Sequence, residues 1–224
     1  MTSISAHRRS PATPRLAVAL AALAFAAASV SAQAATAVGH GYTQADVDFM
    51  QGMIIHHAQA VVMSDWAATH GARPDVATLC KRIALSQRDE IKMMQQWLQE
   101  RHLAAPDPLH TLPGHSGPIH DMSGMNMPGM DMGDHPMMMK GMLTPDEMRQ
   151  LDAAHGPAFD RLYLTGMIKH HEGALDMVAT LFATPGAGQQ ADVSTFATDV
   201  DAGQRAEIGR MQAILRTITS SPTQ

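Results

Sequence analysis

FMQGMIIHHAQAVVM, residues 49–63, recurs without a gap as YLTGMIKHHEGALDM, residues 163–177. Gly52, Met53, Ile54, His56, His57, Ala60 and Met63 reappear as Gly166, Met167, Ile168, His170, His171, Ala174 and Met177. A weaker match follows each copy: SQRDEIKMMQQWL (86–98) and GQRAEIGRMQAIL (203–215) keep Gln, Arg, Glu, Ile and Met at the same relative places. The chain therefore reads as two copies of one helical pair, and this duplication constrains the fold before any single helix is placed.

Caps and breakers delimit the helices. Thr43 with Asp46 three residues on makes a capping box for a first helix that ends by Gly71, and Pro74 opens a second that runs to about Arg101. Thr144-Pro145-Asp146-Glu147 combines an N-cap threonine, a first-turn proline and a capping-box glutamate. Gly156-Pro157 kinks or interrupts that third helix before it continues to about Ala183. Pro185, Gly186 and Gly188 turn the chain into a fourth helix over about residues 189–218, and nothing reads as a strand. Two hairpins joined by a long connection predict an all-α, ferritin-like four-helix bundle with one crossover. A helix of about 26 residues is about 39 Å long. The connection, residues 103–143, can span that length with slack.

On such helices the histidines fall on defined stripes. Phe49, Met53, His56, Ala60, Met63 and Ala67 step alternately by four and three, matched by Tyr163, Met167, His170, Ala174, Met177 and Leu181, so His56 and His170 are expected to face inward. Met50, Ile54, His57, Val61 and Ser64 run beside them. Gln51, Ile55, Ala58, Val62 and Asp65 make a third face, more plainly polar in the second copy as Thr165, Lys169, Glu172 and Asp176. Glu90 and Glu207, in the two shorter repeats, are candidates to hydrogen-bond the histidines from outside the ligand set.

The termini and composition bound the remaining classes. Arg8, Arg9 and Arg15, the apolar run Leu16–Val30 and Ala32-Gln33-Ala34 have the form of a secretory signal over residues 1–34, too short in its apolar run for a comfortable membrane span. The expected organisation is then a first hairpin over 35–102, a flexible linker over 103–143 and a second hairpin over 144–219, with 35–219 forming one domain. Export would place the protein outside the cytoplasm, in the periplasm, with no stable membrane insertion once the signal is cleaved. Without the three leader arginines, 13 Lys plus Arg stand against 21 Asp plus Glu, a formal charge of −8 with no basic cluster, which argues against nucleic acid as a partner. The single cysteine, Cys80, cannot form an internal disulfide and reads as a small buried hydrophobe.

Methionine occurs 19 times and histidine 13, against nine aromatic residues. Nine of those methionines lie between Met122 and Met142, where Gly, Pro and Asp rule out a continuous helix or strand, so packing does not explain them. Thioether sulfur is a soft ligand suited to Cu(I) and Ag(I), and imidazole accepts both copper oxidation states. His115, His120, Met122, Met125, Met127, Met130, Met132 and His135 are the linker's candidate ligands.

These stretches, with GMLTPDEM before the second copy and the QRxEIxxM pairs, resemble the bacterial domain of unknown function family 305 over nearly all of Tyr42 to Leu215. The resemblance implies an exported, ferritin-like copper-binding bundle with Met53, His56, His57, Met63, Met167, His170, His171 and Met177 as metal ligands. Separately, the linker looks like the Met/His-rich segments of copper- and silver-resistance proteins.

Catalytic signatures are missing from the sequence. No Glu has a His three residues later, as a di-iron oxidase of this architecture requires. Cys80 has no neighbouring histidine for a blue-copper centre, and no G-x-S-x-G, HExxH or phosphate-binding glycine loop occurs. The expectation is a non-enzymatic copper protein for sequestration, transfer or resistance. Cu(I) is its main ion, Cu(II) a further one, Ag(I) a non-physiological mimic, and a periplasmic copper carrier or exporter its partner. A structural or stress-response adaptor with incidental metal binding is the alternative. Zinc or nickel buffering is a third reading, and it leaves the methionines unexplained.

Overall fold

A computed structural model describes residues 37–38, 41–108 and 139–220. The expected leader, residues 1–34, and the linker ligands from His115 to His135 lie outside the described residues. A short antiparallel pair, β1 (Ala37–Val38) and β2 (Tyr42–Thr43), precedes the helices, with Ala37 opposite Thr43 and Val38 opposite Tyr42. This corrects the strand-free expectation: two residues per strand are too few to show a period-2 pattern. The helices are α1 (Gln44–Asp65), α2 (Pro74–Gln99), α3 (Pro145–Asp152), α4 (Pro157–Ala183) and α5 (Ala191–Ser220), with one turn of 3-10 helix, Trp66–Ala68, after α1. The fold is the all-helical bundle of two hairpins, α1–α2 and α4–α5.

Local chemistry sets the boundaries. Thr43 Oγ1 accepts from the Asp46 backbone N–H at 3.2 Å and Asp46 Oδ2 accepts from that of Thr43 at 2.7 Å, the reciprocal box that starts α1. Thr144 and Glu147 repeat it at α3. Gly156 has φ of 55°, a left-handed value favouring glycine, and Pro157 restarts the helix immediately. The interruption expected there is complete, giving two helices instead of one kinked helix.

The repeat is also a spatial symmetry. Asp46 Oδ1 accepts from the Gly188 N–H at 2.7 Å, in the turn between α4 and α5. Asp160, at the equivalent place in α4, accepts from the Arg73 N–H at 3.2 Å, in the turn between α1 and α2. Each hairpin thus holds the other's turn with a buried carboxylate. Across the α1/α4 interface, the Met63 methyl lies over Gly166 and the Met177 methyl over Gly52, so the two motif helices run antiparallel.

On the third face of α1, Gln51 and Ala58 are buried along with thirteen other residues of this 22-residue helix. Its counterparts on α4, Thr165, Lys169, Glu172 and Asp176, are exposed as expected. The crossover causes the difference by climbing along α1. Gln51 Nε2 donates to Ala104 O at 2.7 Å, His56 Nε2 to Lys140 O at 3.2 Å, Gln59 Nε2 to Leu143 O at 3.0 Å, and His70 Nε2 to Asp152 O at 2.7 Å. Gln51 and His56 are about 7.5 Å apart along the helix axis.

Candidate metal centre

His56, His57, His170 and His171 are all fully buried, at 0 % exposure. The expectation that His56 and His170 face inward holds, and their neighbours on the adjoining stripe are buried with them. The His56 and His170 rings lie 3.8 Å apart centroid to centroid, inclined by 40°, and within each pair the rings are 6.4 and 6.2 Å apart.

Each ring uses the same nitrogen for its hydrogen bond. His56 Nε2 donates to Lys140 O, His170 Nε2 to His56 O at 3.0 Å, His57 Nε2 to Glu90 Oε2 at 2.6 Å and His171 Nε2 to Glu207 Oε2 at 2.8 Å. Glu90 and Glu207 each accept from one imidazole N–H and so orient that ring. An acceptor oxygen beside every Nε2 places a ring proton there, so that in the neutral form of each ring Nδ1 is the lone-pair nitrogen. All four Nδ1 atoms are buried without a hydrogen-bond partner.

Electrostatics keeps the inner pair neutral. Burial, followed by the proximity of His57, pushes the His56 pKa down to about 3, with only its bond to Lys140 opposing. Burial, then His56, His171 and His57, depress His170 well below the usual imidazole range. Burial works against a charge on Glu90, but its bonds from His57 and Ser86 prevail and hold the carboxyl below its ordinary range.

The family model described as Domain of unknown function (DUF305) matches residues 46–215, which contain both histidine pairs and both glutamates. The chain belongs to the DUF305 family. Among solved structures, the DUF305 protein of Streptomyces coelicolor is 26% identical, with 80% of this chain and 97% of that one covered and a TM-score of 0.61. CopM in its Cu(II)-bound form is 25% identical, over 77% of this chain and 96% of CopM, with a TM-score of 0.55. Uncharacterized protein L153 of Acanthamoeba polyphaga mimivirus is 39% identical over 64 residues, 27% of this chain. The match spans 42% of that relative's length.

The methionines of the DUF305 chain are distributed differently from its histidines. Met53 packs with Phe49, Trp97 and Phe196 in one half of the core, and Met167 with Phe159, Tyr163 and Met211 in the other. Met63 and Met177 reach across to the facing helix, each over a motif glycine. Among the described residues no three His, Cys, Asp or Glu side chains converge as a set able to hold a metal ion. Buried thioethers occur in both halves of the core, Met53 in one and Met63 and Met167 in the other.

Sequence reasoning missed three features of this DUF305 site. Gln87 and Gln204 are buried with carboxamide atoms lacking partners: both Nε2 and Oε1 of Gln87, and Oε1 of Gln204. Their recurrence in SQRDEI and GQRAEI was the available signal. The Lys140 carbonyl, partner of His56, had none, because a backbone atom of an irregular turn leaves no trace in residue type.

Proposed function

We propose that this DUF305 protein is an exported, non-enzymatic copper-binding protein that sequesters copper, passes it on or confers resistance to it, with Cu(I) as the principal ion and Cu(II) and Ag(I) also accepted. The observation that carries the reading is that all four buried histidines turn Nε2 to an acceptor oxygen and leave Nδ1 unpartnered. A metal-ligating imidazole typically donates its second N–H to a carboxylate or carbonyl, and that donation is made four times here with the other nitrogen left free. A histidine kept only for packing has no reason to hold an unpartnered buried nitrogen. The fold likeness to CopM, whose structures include Cu(I)-, Cu(II)- and Ag-bound forms, supports the same reading.

In this reading His56, His57, His170 and His171 supply nitrogen, with Met53, Met63, Met167 and Met177 as the sulfur donors. Copper supplies no chemistry beyond its own coordination, since it is cargo. The protein's residues hold the inner pair, His56 and His170, neutral, aim the four N–H groups at Glu90, Glu207 and two carbonyls, and exclude water. The linker ligands from His115 to His135 capture further ions, and a periplasmic carrier or exporter receives them.

Competitive titration of the mature protein with Cu(I), Ag(I) and Zn(II), read by native mass spectrometry, tests the proposal. Cu(I) and Ag(I) should outcompete Zn(II), and X-ray absorption of the Cu(I) form should show both sulfur and nitrogen. His170→Leu is the informative variant, because His56 O keeps its helical hydrogen bond when the imidazole is gone. A folded variant with weakened Cu(I) binding supports the reading. Unchanged binding by a variant also lacking residues 110–136 would take the copper away from the histidines, and a parent that binds neither Cu(I) nor Ag(I) would leave the adaptor alternative.

A further inference from the structure

The crossover re-enters the described structure at Met139, and its first turn brings two methionines against a third. Gly141, at φ of 83°, lets this turn close, with the Met142 N–H donating to Met139 O at 3.1 Å. The turn is tightly held. Lys140 Nζ pairs with Asp176 at 2.7 Å, and Gln59 makes two bonds to Leu143. A Cβ on Gly173 would lie 2.0 Å from Lys140 O, so α4 and the turn meet at backbone contact.

Met139 and Met142 are nearly buried beside Ala58, with Ile55, Val62 and Met177 around them, in a cluster separate from the two main halves of the core. At the point where a Cβ of Gly52 would sit, the Met177 methyl is 3.4 Å away and the Met139 sulfur 3.5 Å away. The missing side chain of Gly52 thus makes a cradle in which two thioether side chains converge.

The internal symmetry supplies a control for packing. At Gly166, the equivalent of Gly52, the Met63 methyl is at 3.5 Å and the second occupant is Leu143, whose methyl is at 3.0 Å. The same cradle is therefore filled by methionine and leucine in one half and by two methionines in the other. Leucine specifies a core better than methionine. Packing alone does not account for the exchange.

We propose that Met139 and Met142 share Met177 with the histidine set and form with it an all-thioether site for a soft monovalent cation, Cu(I) in the cell, beside the buried histidines. The inference rests on the copper reading above. Three thioethers with apolar walls favour Cu(I) or Ag(I) over Zn(II). The neighbouring residue, Lys140, holds His56 through its carbonyl, so the site adjoins the quartet and suits an ion on its way in or out.

Silver(I) is the probe, used on the full mature chain labelled with [methyl-13C]methionine. Met139→Leu, Met142→Leu and Met177→Leu each remove one methyl resonance and so assign it. The expected result is that these three resonances move together on adding Ag(I), while those of Met94 and Met211, buried elsewhere, stay in place. The triple Leu variant should keep its helical circular dichroism and bind one Ag(I) fewer. Should the triple variant misfold, the parent spectrum with the three assignments still decides. Three stationary resonances at saturation, while Met53 or Met63 moves, would overturn the site and leave the copper reading standing. A parent that binds no Ag(I) or Cu(I) removes both.

Discussion

His57 donates to Glu90 and His171 donates to Glu207, at 2.6 and 2.8 Å, so the two halves of the duplicated chain carry the same buried imidazole–carboxylate unit. In each, the histidine has no exposure while the carboxylate reaches the edge of the core, with 22% and 14% of its side chain exposed. The carboxylate therefore connects a water-free imidazole to the bundle surface.

Removing that carboxylate should have two separable effects. Glu90→Ala leaves the His57 N–H buried without an acceptor, a loss of about 1–3 kcal/mol in urea unfolding of the metal-free protein. Loss of the orienting partner should also weaken metal binding by roughly 10–100-fold. Glu90→Gln keeps an acceptor oxygen and should recover most of the stability. Equal losses in both variants would mean that the bond to His57 is not what Glu90 contributes.

Two glycine substitutions should act in opposite directions. Gly173→Ala pushes a methyl into Lys140 O and Gly141, forcing α4 away from the turn at about 1–3 kcal/mol. Gly203→Ala, in the interior of α5 with nothing within 4 Å of the added carbon, should stabilise by about 0.5–1 kcal/mol. Chemical denaturation of both variants checks the pair, and a neutral Gly173→Ala would contradict the close helix–turn contact.

Acid should destabilise the metal-free protein in a defined window. His56 titrates at about 3 in the fold against an ordinary 6.5, mainly because burial disfavours its charge. Between those values the unfolded chain holds a proton that the native state does not. The contribution to stability is complete above about pH 6.5 and declines as pH falls toward 3, by about 1.4 kcal/mol per pH unit for one fully linked proton. Depression of the His170 pKa acts in the same direction. Urea midpoints measured from pH 7.5 to 4.5 should fall, and His56→Leu should flatten the profile.

Cys80 should be chemically silent in the native state. It is 1% exposed, and burial pushes its thiol up to about 12. Ellman's reagent at neutral pH should leave it unmodified until denaturant is added. Rapid native labelling would show that α2 opens locally at this position.

The sequence by itself determined the duplicated hairpins, the capped starts at Thr43 and Thr144, the break at Gly156-Pro157 and the inward placement of His56 and His170. Each is written in local periodicity or in a residue with a restricted backbone, and such signals do not depend on what the helix later packs against. It also marked Glu90 and Glu207, because their repeat spacing follows that of the histidines. Which hydrogen bond each imidazole makes was decided only by tertiary structure. His56 takes a backbone carbonyl of the crossover, His170 a carbonyl of α1, and the other two take carboxylates. The same crossover covers Gln51 and Ala58 on the third face of α1 while Thr165, Lys169, Glu172 and Asp176 on α4 stay in solvent, a difference the more polar second copy already marks but whose covering segment it does not identify. Backbone atoms of an irregular turn carry no residue-type signal, and which distant segment covers a helix face is settled only when the chain packs. The convergence of Met139 and Met177 over Gly52 has the same origin, since it depends on a cradle made by the absence of a side chain.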